Sequence, residues 1–168
     1  MALITNKGSY TRNMLQNRNI LCLDMATQKT GWAIFALGEI KGYGLIQSKN
    51  KDVRQRMFEI ITQIENLVDD IDIVVVEDTY MGRNASTFGI LSEMRGMLLY
   101  LCMAEDKEYA TVQPSTWKSY YKMTRLSRIE QKLVTKNFFK KRTGEEPATD
   151  DVSDAYCMLH ALVTMEKK

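Results

Sequence analysis

Apolar positions along this chain fall into two rhythms, and the alternation between them sets out the elements. Residues 20–24 (Ile-Leu-Cys-Leu-Asp) form a short apolar run that ends in an acid, which predicts a buried strand. Residues 31–37 and 43–48 predict two more strands, with Gly38 and Gly42 in the turn between them. These three read as an antiparallel meander. Over residues 52–68 the period changes to that of a helix. Val53, Met57, Ile60, Ile61, Ile64, Leu67 and Val68 share one face. Residues 71–76 are almost unbroken β-branched sequence, the pattern of a strand covered on both faces, and they lead into Glu77 and Asp78. A loop over 79–84 precedes a long Met- and Leu-rich helix over 85–104. A short strand follows at 109–112, and Pro114 suits the first position of a helix, where its missing N–H costs nothing. A basic helix over 127–141, a turn over 142–147 and a final helix over 149–165 complete the chain, with Thr149 or Asp150 as its N-cap. The order β-β-β-α-β-α-β-α-α predicts an α/β fold: a mixed five-stranded sheet, three antiparallel strands plus two parallel, flanked by helices.

Length and composition narrow the class. The 168 residues suit one core, and 45% hydrophobic with 26% charged residues is ordinary globular composition. No apolar run is long enough to span a bilayer. Residues 1–18 are polar, lack the apolar stretch of a signal peptide, and read as a flexible or loosely docked arm ahead of a domain over 19–168. Lys7, Arg12 and Arg18 in that arm could touch DNA; a plain disordered terminus is the simpler reading. Cys22, Cys102 and Cys157 are odd in number and widely spaced among apolar residues, so they read as core residues rather than disulfide or zinc ligands.

The net charge of +2 hides a polarised distribution. Residues 118–142 carry nine cations and one acid, Glu130, while the remainder holds 14 basic and 20 acidic groups. Arg128, Lys132, Lys136 and Lys140 recur every four residues and so line one helix face, with Lys118, Lys122 and Arg125 ahead of them. A stripe of this kind suits a phosphate backbone; the alternative is a solvated helix face.

The candidate chemistry is acidic. Asp24 ends the first strand and Glu77 the fourth, so if those strands are parallel neighbours both carboxylates emerge at one sheet edge, beyond the strands' carboxyl ends. Asp151 and Asp154, three apart, share a helix face. Crowded carboxylates repel unless a cation neutralises them, and hard oxygen ligands in that number suit Mg²⁺ or Mn²⁺. Two such ions can activate water and stabilise the leaving oxygen of a phosphodiester. No G-x-S-x-G, P-loop or HExxH motif competes, and the single histidine, His160, reads as a helix-packing residue. Each acid also has a structural reading: Asp151 favours a helix N-terminus, and acids after strands are often solvated loop residues.

The segments around these acids resemble known ones. Leu21-Cys22-Leu23-Asp24 with Thr27, Thr30 and Gly31, then Val75-Val76-Glu77-Asp78, Arg95-Gly96 and Asp151-Val152-Ser153-Asp154-Ala155, resemble the ordered motifs of RuvC-like Holliday junction resolvases. Met25-Ala26 stands where bacterial members commonly carry Pro-Gly, and the Thr-x-x-Thr-Gly wording is closer to the phage branch. The resemblance implies an RNase H-like fold and a homodimer in the cytoplasm of a bacterial host. It also implies two Mg²⁺ per subunit, with Mn²⁺ substituting, and paired nicks across four-way junctions, with other branched structures accepted. By motif position it makes Asp24, Glu77, Asp151 and Asp154 metal ligands, and places Lys118 and Arg128 near catalytic or DNA-contacting positions. Tyr80 falls where the family often carries an aromatic that stacks on bases; packing down on the sheet is the other reading. Arg83, on the same loop, is a further DNA-binding candidate. Helix 85–104 is expected in the dimer, because Met94, Met97, Leu98, Leu101 and Met103 exceed what one sheet face needs; burial inside the monomer is the competing explanation.

Other classes are weaker. Asp24 and Thr27 with Gly31 faintly resemble an actin-like phosphate loop, which needs two domains that this chain is too short to supply. A non-catalytic junction-binding protein gains nothing from uncompensated carboxylates. Another RNase H-like nuclease, exonuclease or transposase-like, is the nearer alternative.

Overall fold

The computed structural model describes residues 2–78 and 85–165. Its centre is a five-stranded sheet in the order β5-β4-β3-β6-β7. β3 (Ile20–Met25), β4 (Lys29–Ala36) and β5 (Glu39–Gln47) form the expected antiparallel meander, while β6 (Ile73–Glu77) and β7 (Glu108–Val112) run parallel to β3. The turn between β4 and β5 is tighter than the sequence implies. Leu37 and Gly38 take it with positive φ, and Gly42 lies inside β5, where it and Gly44 make room for the ring of Trp32.

Two apolar layers cover the sheet, and strand alternation decides which residue joins which. Leu21, Leu23, Val74 and Val76 face α2 (Val53–Glu65) and α3 (Ala85–Ala104). Ile20, Cys22, Ile73 and Val75 face the other way, onto α6 (Asp150–Thr164) with α4 (Pro114–Tyr120) and α5 (Arg128–Thr143) beside it. α6 is buried from Val152 to Val163. All three cysteines are buried and unpaired. His160 packs as expected: its Nδ1 meets the Tyr121 hydroxyl at 3.1 Å and its Nε2 the Arg142 guanidinium at 2.9 Å. Burial, with Arg142 beside it, lowers its pKa to about 4, so the ring is neutral. Among the described residues no helix is long and apolar enough to cross a membrane.

The reading of residues 1–18 as a flexible or loosely docked arm needs correction. β1 (Ala2–Ile4) and β2 (Ser9–Thr11) form a hairpin, and α1 (Arg12–Leu15) follows it. Leu3 and Leu15 are buried in the main core. The hairpin covers the free edge of β7, with Thr5 bridged to Ala110 and the Asn6 N–H donating to the Tyr109 carbonyl. Glu108 anchors it, accepting from Thr5, Tyr10 and Arg18. Lys7 pairs with Asp106 and Arg18 with Glu108, so these two cations of the arm hold the fold together.

Candidate active site

The register of β3 against β6 pairs Leu23 with Val76, so Asp24 and Glu77 are the next residues along on adjacent parallel strands. Alternation then turns both toward the α6 layer, since Cys22 and Val75 already face it. Asp78, one residue on, faces the other layer, as strand alternation requires. It pairs with Arg95 of α3 at 2.9 Å and accepts from the Gln113 amide at 2.5 Å.

α6 supplies the other two acids, and a glycine lets it reach them. A Cβ on Gly31 would lie 2.0 Å from the Asp151 carbonyl oxygen and 2.5 Å from the Val152 nitrogen. The first turn of α6 therefore rests directly on the backbone of β4. Asp151 and Asp154 then stand over Asp24, and all four acids line one cavity of about 550 Å³. Thr149 occupies the N-cap position without a side-chain cap bond, and its hydroxyl donates to Asp151 instead. Asp150 lies in the first helical turn rather than at the cap.

Each of three acids is held by a partner of its own. The Trp117 indole N–H donates to Glu77 at 2.7 Å. The Lys132 ammonium and the Thr135 hydroxyl take the two oxygens of Asp154. Lys29 lies 3.0 Å from Asp151. The acids consequently share a cavity without being drawn together: among the described residues no three carboxylate, imidazole or thiol side chains stand close enough to bind one ion as they are. The donor set is nonetheless all oxygen, and its members feel one another. Burial, then the charges of Asp154, Glu77 and Asp151, push the Asp24 carboxyl well above its usual range. Burial raises Glu77 too, against the opposing pull of the Trp117 bond and Lys118. Carboxylates that repel and are only part-neutralised by lysines fit hard divalent cations, which would take over from the two ammonium groups.

A pH dependence follows. Asp24 and Glu77 have raised folded-state values, so their favourable contribution is complete below the ordinary carboxylate range of about 4 and is lost as pH rises through the raised values. In the metal-free protein these two groups should therefore pull the melting temperature down between about pH 4 and neutrality, against the rise contributed by acids with lowered values such as Glu108, Glu130 and Glu146. Mn²⁺ should restore more stability at neutral pH than at pH 5, and Asp24→Asn should gain stability relative to wild type as pH rises. A difference in melting temperature between Asp24→Asn and wild type that stays constant across that interval would contradict this.

The basic candidates separate. Lys118, Arg128 and Lys132 line the acid cavity, and Lys118 sits 5.3 Å over the Trp117 ring. Lys132 reaches an acid directly. Burial works against its charge, but Asp154 and then Asp24 hold its pKa above the usual lysine value. Lys122 and Arg125 are exposed and do not line the cavity. The stripe on α5 is less free of acids than its sequence suggests, because Lys136 and Lys140 both pair with Glu146, at 3.3 and 2.5 Å. The lone acid Glu130 belongs to a capping box with Ser127 at the start of α5. Tyr80 and Arg83 lie outside the described residues. Sequence reasoning missed Lys29, Trp117 and Thr135. Only Trp117 carried a signal, as a polar-tipped aromatic in an otherwise polar helix.

The model of a family described as Lactococcus phage M3 protein matches residues 17–164. No curated protein sequence matches the chain. Among solved structures, Thermus thermophilus RuvC in complex with Holliday junction substrate superposes with a TM-score of 0.68 at 13% identity, covering 86% of this chain and 91% of that one. The yeast mitochondrial Holliday junction resolvase Ydc2 gives 0.62 at 14% identity, covering 88% and 78%. The fowlpox virus Holliday junction resolvase gives 0.56 at 12% identity, covering 86% and 97%. The chain thus has the fold of RuvC and related resolvases.

Proposed function

We propose that this chain, which belongs to the Lactococcus phage M3 protein family, is a divalent-metal-dependent endonuclease that nicks four-way junctions and other branched DNA. The observation that carries the reading is the convergence of Asp24, Glu77, Asp151 and Asp154, from two strands and a helix, on one cavity whose rim is basic. A site that only bound DNA would be weakened by four carboxylates facing the phosphates. That the similar structures are Holliday junction resolvases supports the choice of substrate.

In this reading Asp24, Glu77, Asp151 and Asp154 hold two Mg²⁺ ions, for which Mn²⁺ substitutes. Bound there, the cations would supply Lewis acidity for an attacking water and for the leaving oxygen. Trp117 keeps Glu77 turned into the cavity through its 2.7 Å bond. Lys132, displaced from Asp154, is placed to bind a non-bridging phosphate oxygen, and Lys118 and Arg128 to hold the flanking backbone. Their charge is sequence-independent, so the grip follows shape.

Two copies acting together would give paired nicks. α3 offers a surface for this. Met94, Leu98 and Leu101 are spent inside the monomer, but Tyr100 and Met103 on α3 and Phe58 on α2 are exposed, and a groove of about 650 Å³ runs between the helices. We assign the homodimer contact to this face.

The reading is tested by incubating the protein with Mg²⁺ or Mn²⁺ and labelled four-way junction, fork, flap and linear duplex DNA of matched sequence. Metal-dependent nicks near the branch point, with linear duplex spared, are expected. Digestion of all four from their ends would instead identify an exonuclease on the same fold.

A further inference from the structure

The turn over residues 26–29 has two sides, and only one belongs to the acid cavity. Behind it lies a separate cleft of about 360 Å³. Its lining includes Lys29, Gln47, Lys49 and Asn50, with Arg56 at the base, and among the described residues no acidic or apolar one contributes to it. We propose that this cleft binds the phosphodiester backbone of a DNA arm leaving the active site, an inference that rests on the nuclease reading above.

Arg56 is the first argument. Its residue is only 8% exposed, on the first turns of α2, yet its guanidinium bonds only neutral groups: Nε donates to the Thr27 carbonyl at 2.8 Å and Nη1 to the Asn50 carbonyl at 2.7 Å. Among the described residues it forms no ion pair with a carboxylate. The nearest acid on its helix, Glu59, has both oxygens occupied by Ser48 and Asn50. A buried cation satisfied only by carbonyl dipoles keeps most of its attraction for an anion, since burial weakens the screening that water provides.

The second argument is continuity. Thr27 lines the acid cavity, and its carbonyl is the acceptor that holds Arg56 on the far side. The Ala26 N–H donates to the Lys29 carbonyl, and the Ser48 N–H to the Gln28 carbonyl, so the turn is fixed to β5. Lys29 belongs to both sides: it lines the cleft while its ammonium lies 3.0 Å from Asp151. A strand whose scissile phosphate lay by the acids could leave across this turn, since Thr27 lines the same cavity as the acids. Lys49 and Lys51 are exposed beyond it.

Arg56 ties down a turn, and Lys29 touches an acid, so neither gives a clean variant. Lys49 does. In a Glu77→Gln background, which binds without cutting, junction affinity is measured by fluorescence anisotropy across a KCl series. Lys49→Ala should weaken binding several-fold and make the slope of log affinity against log salt shallower by about 0.9, the value for one phosphate contact. Lys49→Glu should weaken it further. Lys107→Ala, which removes a cation that bonds the Asp69 carbonyl at the opposite end of the sheet, should leave the slope unchanged. An unchanged slope in Lys49→Ala overturns the inference and leaves the nuclease reading intact. Displacement of the junction by millimolar inorganic phosphate at constant ionic strength would identify a small-anion site and overturn it as well. Failure of Glu77→Gln to bind any DNA would remove both readings together.

Discussion

Glu77→Gln is expected to abolish Mg²⁺-dependent nicking of a four-way junction, by about three orders of magnitude or more, which corresponds to roughly 4 kcal/mol of activation barrier. Junction affinity is expected to stay within a few-fold of wild type. The size of the loss comes from charge, because glutamine has nearly the shape of glutamate and its carbonyl still accepts the Trp117 indole N–H that now reaches Glu77 at 2.7 Å. Packing around Trp117 is then undisturbed, and only the negative oxygen ligand is gone. Affinity should be spared because in the proposed reading phosphate binding falls to Lys118, Arg128 and Lys132, which line the cavity, and loss of a carboxylate beside them would not weaken that attraction. The metal-free variant should also melt no lower than wild type, since burial makes the Glu77 charge unfavourable in the folded chain. Near-normal cleavage, or loss of cleavage together with loss of fold, would refute this assignment of Glu77.

Gly31→Ala is expected to cost about 3 kcal/mol or more, a drop of roughly 6–12 °C in melting temperature for a chain of this size. The added Cβ would sit 2.0 Å from the Asp151 carbonyl oxygen and 2.1 Å from its carbon. Both are backbone atoms of a helix that is buried along nearly its whole length, so no side chain can swing aside and the end of α6 must lift. Lifting it carries Asp151 and Asp154 away from Asp24, so Mn²⁺ affinity falls as well as stability. Gly96→Ala is the contrast. That glycine is in the middle of α3 with nothing among the described residues within 4 Å of the new Cβ, and although it lines the groove assigned above to the dimer, the change is expected to stabilise the monomer by about 0.5–1 kcal/mol. Equal melting temperatures for the Gly31 and Gly96 variants would show that the close approach of α6 to β4 does not build the site.

What the sequence disclosed and what it withheld follow from how far each feature depends on neighbours distant along the chain. The strands carrying Asp24 and Glu77 were legible because unbroken apolar runs specify burial on both faces, and parity along each run then fixes which way its acid points. The helix acids were legible from their spacing of three. Gly31 carried a readable sign, a glycine inside a strand, whose meaning needed the position of α6. The hairpin over residues 2–11 was not legible. Its burial rests mainly on Leu3, with Leu15 just beyond it, and its anchor, Glu108, lies about a hundred residues away. The pairings of Lys29 with Asp151 and Lys132 with Asp154 were equally hidden. A four-residue repeat of cations on α5 looks the same whether it faces water or a carboxylate, and only the packing of α5 on α6 turns Lys132 inward. The same packing gives Lys136 and Lys140 a partner in Glu146, which removes part of the free charge that the sequence alone assigned to DNA.

The central claim is that Asp24, Glu77, Asp151 and Asp154 act as one cage for divalent cations. Calorimetric titration of Mn²⁺ into the metal-free protein at neutral pH, without DNA, tests it most directly. Saturable binding in wild type that disappears in Asp24→Asn, with the variant still folded, is the predicted result. Either no uptake by the wild type or identical uptake by Asp24→Asn would contradict it.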